Sequence, residues 1–366
     1  MPLYEKVPTN DCWQHTGKAP ISTKFVDLQK GDLVRSRLVV RNFKPKGEKD
    51  REDLFAAMPP LDAKKVLFRK AARQRGRWVG KKFQKKKMML IDVQKAHLNG
   101  VVPDGVFAYV ELPPEANAPG MCGRLIHWLY GMRQAASAWE KDYTDRLESI
   151  GVIRGNAAPT AFYHPGMDCS LVVHGDDFTL LGWEEDLRTT EVQMRGWYGL
   201  KVRGVLGVEA GNVSAITILN RELRWSPTGV EYEADRKHSE IIIQEMGLGS
   251  ASKDLNMPCV KDDVVVEGTE AEEDEYLADD EAARANYLAQ DRTDIQFATK
   301  ELCRHMSRPR RSSWLRLKRL ARYLLDHPRL NWGTNRTAAT SPTSSSCTRI
   351  QTGQDARSPA NQRAGA

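Results

Sequence analysis

Three carboxylates carry the chemistry that this sequence suggests. Asp176 and Asp177 sit side by side in LVVHGDDFTLLG, residues 171–182, between two apolar runs. Asp92 closes a third apolar run, MMLIDV, residues 88–93. Apolar runs are drawn into a core and carboxylates are not, so the acids need a reason. Gly-Asp is a good turn dipeptide, and HGDD reads as a hairpin tip with solvated charges. Asp92, taken by itself, reads as the N-cap of a helical turn after the strand. The other reading is a metal site. Adjacent carboxylates repel, and in a pocket one of them protonates unless a cation sits there. Hard divalent ions take oxygen ligands, and Mg2+ keeps waters and substrate phosphates in its shell. If the strand ending at Asp92 lies beside the hairpin, three acids on adjoining strands can hold two ions roughly 3.5–4 Å apart, the geometry of in-line displacement at phosphorus.

The elements that must position these acids can be read from periodicity. TKFVDLQKGDLVRSRLVVRNF, residues 23–43, reads as two strands joined by the turn KGD. Within it Arg35, Arg37 and Arg41 share one face by alternation, which by itself reads as a solvated basic face. LDAKKVLFRKAARQRG, residues 61–76, reads as a helix with Ala63, Val66, Leu67 and Ala71 on its inner face and the basic residues opposite. KKFQKKK, residues 81–87, adds a positive run. QAASAWEKDYTDRLESIG, residues 134–151, is an amphipathic helix with Trp139, Tyr143 and Leu147 on one stripe and Gly151 just past its end. Residues 216–335 read as more helical, interrupted by an acidic, exposed insert from Asp262 to Glu281. Two helices there carry Ile295, Ala298, Leu302 and Met306, and then Leu317, Leu320, Ala321 and Leu324, with Ser312–Ser313 and Pro328 bounding the second. Residues 336–366 hold almost no large apolar side chains and are expected to be disordered.

Composition narrows the class. The chain has 366 residues, a net charge of +7 and a pI near 9.0, which favours a polyanionic partner. Six cysteines are scattered without a C-x-x-C pair, which argues against a zinc site or a disulfide framework and for reduced thiols in an intracellular protein. No apolar run approaches a membrane span, and the start lacks the regions of a signal peptide.

Several of these segments, in this order, resemble the reverse transcriptase of copia-type long-terminal-repeat retrotransposons. IDVQKAHLNG is similar to that family's D-V-K-x-A-F-L-N-G, and LIHWLYGMRQAASAWEKDY to its L-x-x-S-L-Y-G-L-K-Q-A-P-R-x-W. LVVHGDDFTLLG sits at the place of the Y-V-D-D hairpin, VLGVE at that of F-L-G-I-E, and RSRLVVRNF at that of K-A-R-L-V-A-K-G. NYLAQDRTDIQFATKELCRHMSRP resembles the YLA-x-x-T-R-P-D-I-x-F-A-V stretch that follows the polymerase, so the likeness runs from about residue 20 to about residue 330.

The resemblance implies an α+β right-hand polymerase fold, an antiparallel palm sheet backed by helices with fingers and a helical thumb and connection. The divisions would be fingers at 1–88, a palm with an interleaved fingers segment at 89–215, thumb and connection at 216–335, and the disordered tail at 336–366. It implies an RNA-directed DNA polymerase acting on dNTPs with an RNA or DNA template and a DNA primer, at no membrane, in a cytoplasmic particle or the nucleus. Asp92, Asp176 and Asp177 would be the catalytic and metal-binding carboxylates, with two Mg2+ ions, or Mn2+ in their place. Arg35, Arg37, Arg41, His97, Tyr130, Gly131 and Arg133 would lie at the nucleotide, and His174 and Gly175 would form the turn at the primer.

The sequence departs from the family pattern at four places. His97 stands for a bulky aromatic residue expected to exclude a ribose 2′-hydroxyl, so weaker sugar discrimination is expected. His174 and Gly175 replace Tyr and Val, which predicts a looser turn and a weaker primer contact, and Ala136 replaces Pro. The family's ribonuclease H pattern is not seen after residue 330, which reads as a fragment of a polyprotein and keeps open an inactive remnant that only binds nucleic acid. A nucleotidyl cyclase would share the acid site but not the motifs on either side of it.

Overall fold

The computed structural model describes residues 2–49, 51–73, 76–80, 82–207, 209, 211–226, 229–249, 252–260, 279–307, 311–335 and 350–351. The chain divides into two compact units, Met1–Val205 and Leu206–Ala366.

The first unit is built on a six-stranded sheet. Its order is Leu200–Leu206, Lys87–Val93, Asp177–Gly182, Cys169–His174, Ala161–His164 and Ile153–Arg154. The four pairs from Lys87–Val93 to Ile153–Arg154 are antiparallel. Alternation then sorts the side chains onto two faces. Met89, Ile91, Val93, Leu171, Val173, Phe178 and Leu180 pack with Trp139, Tyr143 and Leu147 of the helix Ala135–Ser149 and with Leu187 and Met194 of the helix Glu184–Trp197. The opposite face carries Met88, Leu90 and Asp92 beside Leu181, Thr179 and Asp177. The helix Leu61–Arg73 lies on that face, where Lys70 Nζ donates to Ser170 Oγ at 2.7 Å. Both faces of Lys87–Val93 are therefore covered, which is why its apolar run is continuous.

The hairpin Thr23–Lys30/Leu33–Val40 forms in the expected place. A shorter hairpin, Arg77–Val79/Lys82–Gln84, precedes the central strand. A three-stranded sheet joins Tyr4–Pro8, Met121–Leu125 and Tyr109–Val110. The helix Leu61–Arg73 turns a different face inward from the one read in the sequence. Lys64, Leu67, Phe68, Ala71 and Ala72 are buried, while Val66 is exposed.

The second unit does not open as helix. It begins with strands Ala215–Ile218, Arg221–Ser226 and Gly229–Glu233, continued by Asn331–Asn335 and Ile350–Gln351 in one antiparallel sheet. Helices Arg236–Glu245, Asp279–Ala289, Gln296–Cys303 and Arg311–Asp326 enclose a core of Ile242, Leu288, Ile295, Leu302, Leu317 and Leu324. The expected acidic insert lies outside the described residues up to 278, and its last three residues start the helix Asp279–Ala289. The expected disordered tail also lies outside them, apart from Ile350–Gln351. Among the described residues Cys12, Cys122, Cys169, Cys259 and Cys303 are unbridged, and no helix is long and apolar enough to cross a membrane.

The Trp139 indole ties the first helix to the hairpin, since its Nε1 donates to the Gly175 carbonyl at 2.9 Å. Trp139→Phe keeps most of the packing but leaves that carbonyl without its donor. We expect a loss of about 1–2 kcal/mol, read as a lower urea midpoint at unchanged m-value.

Candidate functional site

The register brings Asp92 and Asp177 together. They are direct partners across the antiparallel pair, so their side chains leave the sheet on the same face. Asp176 precedes Asp177 in the two-residue loop Gly175–Asp176, closed by the pair His174 and Asp177. Gly175 has φ +65, the left-handed value that a loop of the Gly-X kind needs at its first position. The Asp176 carbonyl accepts from the Val93 amide at 2.9 Å, which extends the ladder one step beyond the acid pair. The turn is thus held at both of its carbonyls, by Trp139 and by Val93. Asp92 and Asp177 are half-buried and Asp176 is exposed.

Burial raises the Asp177 carboxyl above the usual carboxylate range. The Arg203 guanidinium opposes this, Asp176 adds to it, Lys64 opposes and Asp92 adds. Arg203 Nη1 stands 3.4 Å from Asp177 Oδ1. Neither cation was singled out from sequence. Lys64 was assigned to the solvent side of its helix, and Arg203 sits in an alternating strand, LKVRGVL, that reads as ordinary. The signal that could have found Lys64 is its place one turn before Phe68, on the stripe completed by Ala71 and Ala72.

His97 lies in the short turn Ala96–Asn99 just after the Asp92 strand. Burial lowers its imidazole pKa, and Asp176 pulls the other way. Its ring is 6.0 Å from that of Tyr130, and the Arg37 guanidinium stands 5.6 Å from the Tyr130 ring centre. Ring contacts therefore run from Arg37 through Tyr130 to His97, whose imidazole feels the Asp176 charge. The Tyr130 carbonyl also accepts from the Val40 amide at 2.7 Å, which docks the end of the basic hairpin. Gly131 follows with φ +85, and a Cβ there would meet the Val40 carbonyl oxygen at 2.1 Å, so only glycine fits. Arg35 and Arg41 are exposed, Arg41 just beyond the strand end. Arg133 pairs with Glu48 at 2.7 Å, so the structure gives it a local partner.

Among the described residues no three His, Cys, Asp or Glu side chains stand close enough together to cage a metal ion. The donor chemistry nevertheless suits one. All three acids offer hard oxygens, two of them are register partners, and both other acids push Asp177 toward protonation, a repulsion that a cation would relieve.

Residues 9–201 match the family described as reverse transcriptase (RNA-dependent DNA polymerase). Two relatives from Arabidopsis thaliana are the retrovirus-related Pol polyproteins of transposons RE2 and RE1, 24% identical over 251 residues and 25% over 250. Each alignment covers 65% of this chain and 16% of the relative, so the chain spans a small part of their length. Among solved structures, a foamy viral protease-reverse transcriptase in complex with double-stranded DNA is similar at 10% identity, with a TM-score of 0.39 over 86% of this chain and 44% of that one. A telomerase from Candida albicans with a fragment of telomeric RNA gives 10% identity and 0.34 over 61% and 46%. Likeness at that level adds nothing to the assignment, which rests on the family match across more than half of the sequence and on the two transposon relatives. The chain belongs to the reverse transcriptase (RNA-dependent DNA polymerase) family.

Proposed function

We propose that this chain is the polymerase part of a copia-type retrotransposon, an RNA-directed DNA polymerase that extends a DNA primer with dNTPs on an RNA or DNA template. The observation that carries the reading is the register of Asp92 against Asp177, with Asp176 next in the chain and its carbonyl held by the Val93 amide. In this reading residues 1–88 supply fingers, 89–215 the palm and its interleaved fingers segment, and 216–335 the thumb and connection.

The reaction joins the primer 3′-oxygen to the α-phosphorus of the nucleotide, and the bond to pyrophosphate breaks. Asp92, Asp176 and Asp177 are the residues that would hold divalent ions, Mg2+ or Mn2+. Bound there, such ions would lower the pKa of the attacking hydroxyl and neutralise charge on the phosphates. The protein's own part is positioning. The pinned hairpin turn at His174 and Gly175 gives the primer end a fixed surface. Arg37, held against Tyr130, with Arg35 on the same strand and Arg41 just past its end, offers guanidinium forks to the triphosphate. His97 and Tyr130 form the wall against the sugar.

Asp92→Asn, Asp176→Asn and Asp177→Asn keep shape and remove charge. Each is expected to lower the primer-extension rate on an RNA template by about 10³-fold, with duplex binding at low salt retained. Equal rates in the parent and all three variants would end the polymerase reading, and a purely nucleic-acid-binding chain would give that result. His97→Phe enlarges the wall and removes its polarity. Its relative use of ribonucleotides against deoxyribonucleotides should fall by about tenfold, measured as a ratio of kcat/KM values, and an unmoved ratio would remove His97 from the sugar site.

A further inference from the structure

Arg203 reaches farther than its position requires. It stands on Leu200–Leu206, the edge strand beside Lys87–Val93, and Asp177 stands on the strand beyond that. Two strand spacings come to roughly 9.5–10 Å. Yet Arg203 Nη1 comes within 3.4 Å of Asp177 Oδ1. Asp177 leaves the sheet on the same face as Asp92, its register partner. To make the contact, the Arg203 side chain runs across the strand that carries Asp92, on the acid face. Its guanidinium therefore reaches Asp177 from across the neighbouring strand and not from an adjacent one.

A second cation comes from another element. Lys64 comes from the helix Leu61–Arg73 and is 2% exposed, and its charge acts on Asp177. Two cations from two separate elements thus act on Asp177. The Arg203 contact is loose in comparison with the ion pairs elsewhere in the chain. At 3.4 Å it lies beyond the range of a good charge-assisted hydrogen bond, and the arginine side chain is a third exposed. Pairs of this kind hold weakly and are readily displaced.

We propose that Arg203 is a built-in counter-cation of the acid site, seated against Asp177 when no divalent ion is bound and displaced from it when one enters. The proposal rests on the reading of these acids as metal-binding, and it adds a competitor that sets the affinity of the site. The chain then tolerates an empty acid cluster, and metal entry carries the cost of moving one arginine.

The test uses the full chain and direct binding of Mn2+, followed by loss of the free-ion electron paramagnetic resonance signal, with no reference to activity. Arg203→Met should bind Mn2+ about three- to tenfold more tightly than the parent, and Arg203→Lys should stay near the parent. Without Mn2+ the Met variant should unfold at a lower temperature than the parent, and saturating Mn2+ should close that gap. If the Met variant fails to fold, Arg203→Gln, equally neutral but polar, must show the same tightening. Asp177→Asn serves as the control. If Asp177→Asn weakens binding while both neutral Arg203 variants bind as the parent does or less tightly, the counter-cation proposal is wrong and the metal site stands. If the parent and Asp177→Asn are alike in their response to Mn2+, the metal reading fails and the proposal fails with it.

Discussion

The strand Lys87–Val93 can pair with Asp177–Gly182 in only one register, and the site exists because of that constraint. Met88, Met89, Leu90 and Ile91 are each at most 3% exposed, and they divide between two covered faces. Burying side chains of this class is worth about 1.5–3 kcal/mol each, so the four together hold the register with about 6–12 kcal/mol as an upper estimate. Two like charges about 5 Å apart at an effective dielectric near 20 repel by about 3 kcal/mol. The apolar residues therefore win, and the acids are carried to the end of the ladder by a force that has nothing to do with them. A slip of one residue would turn Asp92 into the Trp139 core and part it from Asp177.

The same logic answers why the tip of a buried hairpin carries two charges. A hairpin tip is the one part of such a strand pair that reaches water while its backbone stays fixed. Here the fixing comes from outside the hairpin, through the Trp139 indole on Gly175 and the Val93 amide on Asp176. Trp139 in turn packs edge-on against Tyr143, Phe178 and Tyr198, so the turn is anchored in the main core. Rigidity at the tip is thus a property of the helix Ala135–Ser149 as much as of the turn sequence.

Periodicity made much of this legible. MMLIDV, the hairpin and the helices at 135–149 and 311–326 bury the residues that their spacing marks. What could not be read is instructive. The helix at 61–73 has two overlapping apolar stripes, and the choice between them is made by the sheet it meets, which buries Phe68 and Ala72 together with Lys64. In residues 221–226 the alternation is carried by a buried arginine. Arg221 faces inward with Leu223 and Trp225, because Asp291 takes its Nε at 2.6 Å. An arginine read as polar hides a strand, and its partner lies 70 residues away. Arg203 was hidden for the same reason, since a charge in an alternating strand declares its purpose only through what it crosses.

The chain handles its acids in two distinct ways, and the contrast separates structure from chemistry. In the second unit three carboxylates are held by short ion pairs. Asp291 accepts from Arg221 and from the Tyr232 hydroxyl at 2.8 Å, and Asp294 is gripped by Arg292 at 2.7 Å. Glu233 takes Arg224, Arg236 and Arg329. Burial would raise the Glu233 carboxyl, but hydrogen bonds from Arg329 and Arg236 outweigh it and push it down to about 2. That depression makes Glu233 a source of stability at neutral pH, lost only as the pH falls below the ordinary glutamate range toward 2. Asp177 is the reverse case. Its ion pair with Arg203 is long, two other acids act on it, and its carboxyl is raised. A fold that can saturate three carboxylates with short ion pairs has the means to saturate a fourth. Leaving Asp177 under-paired at the fixed tip of a hairpin costs stability, and the compensation for such a cost is binding.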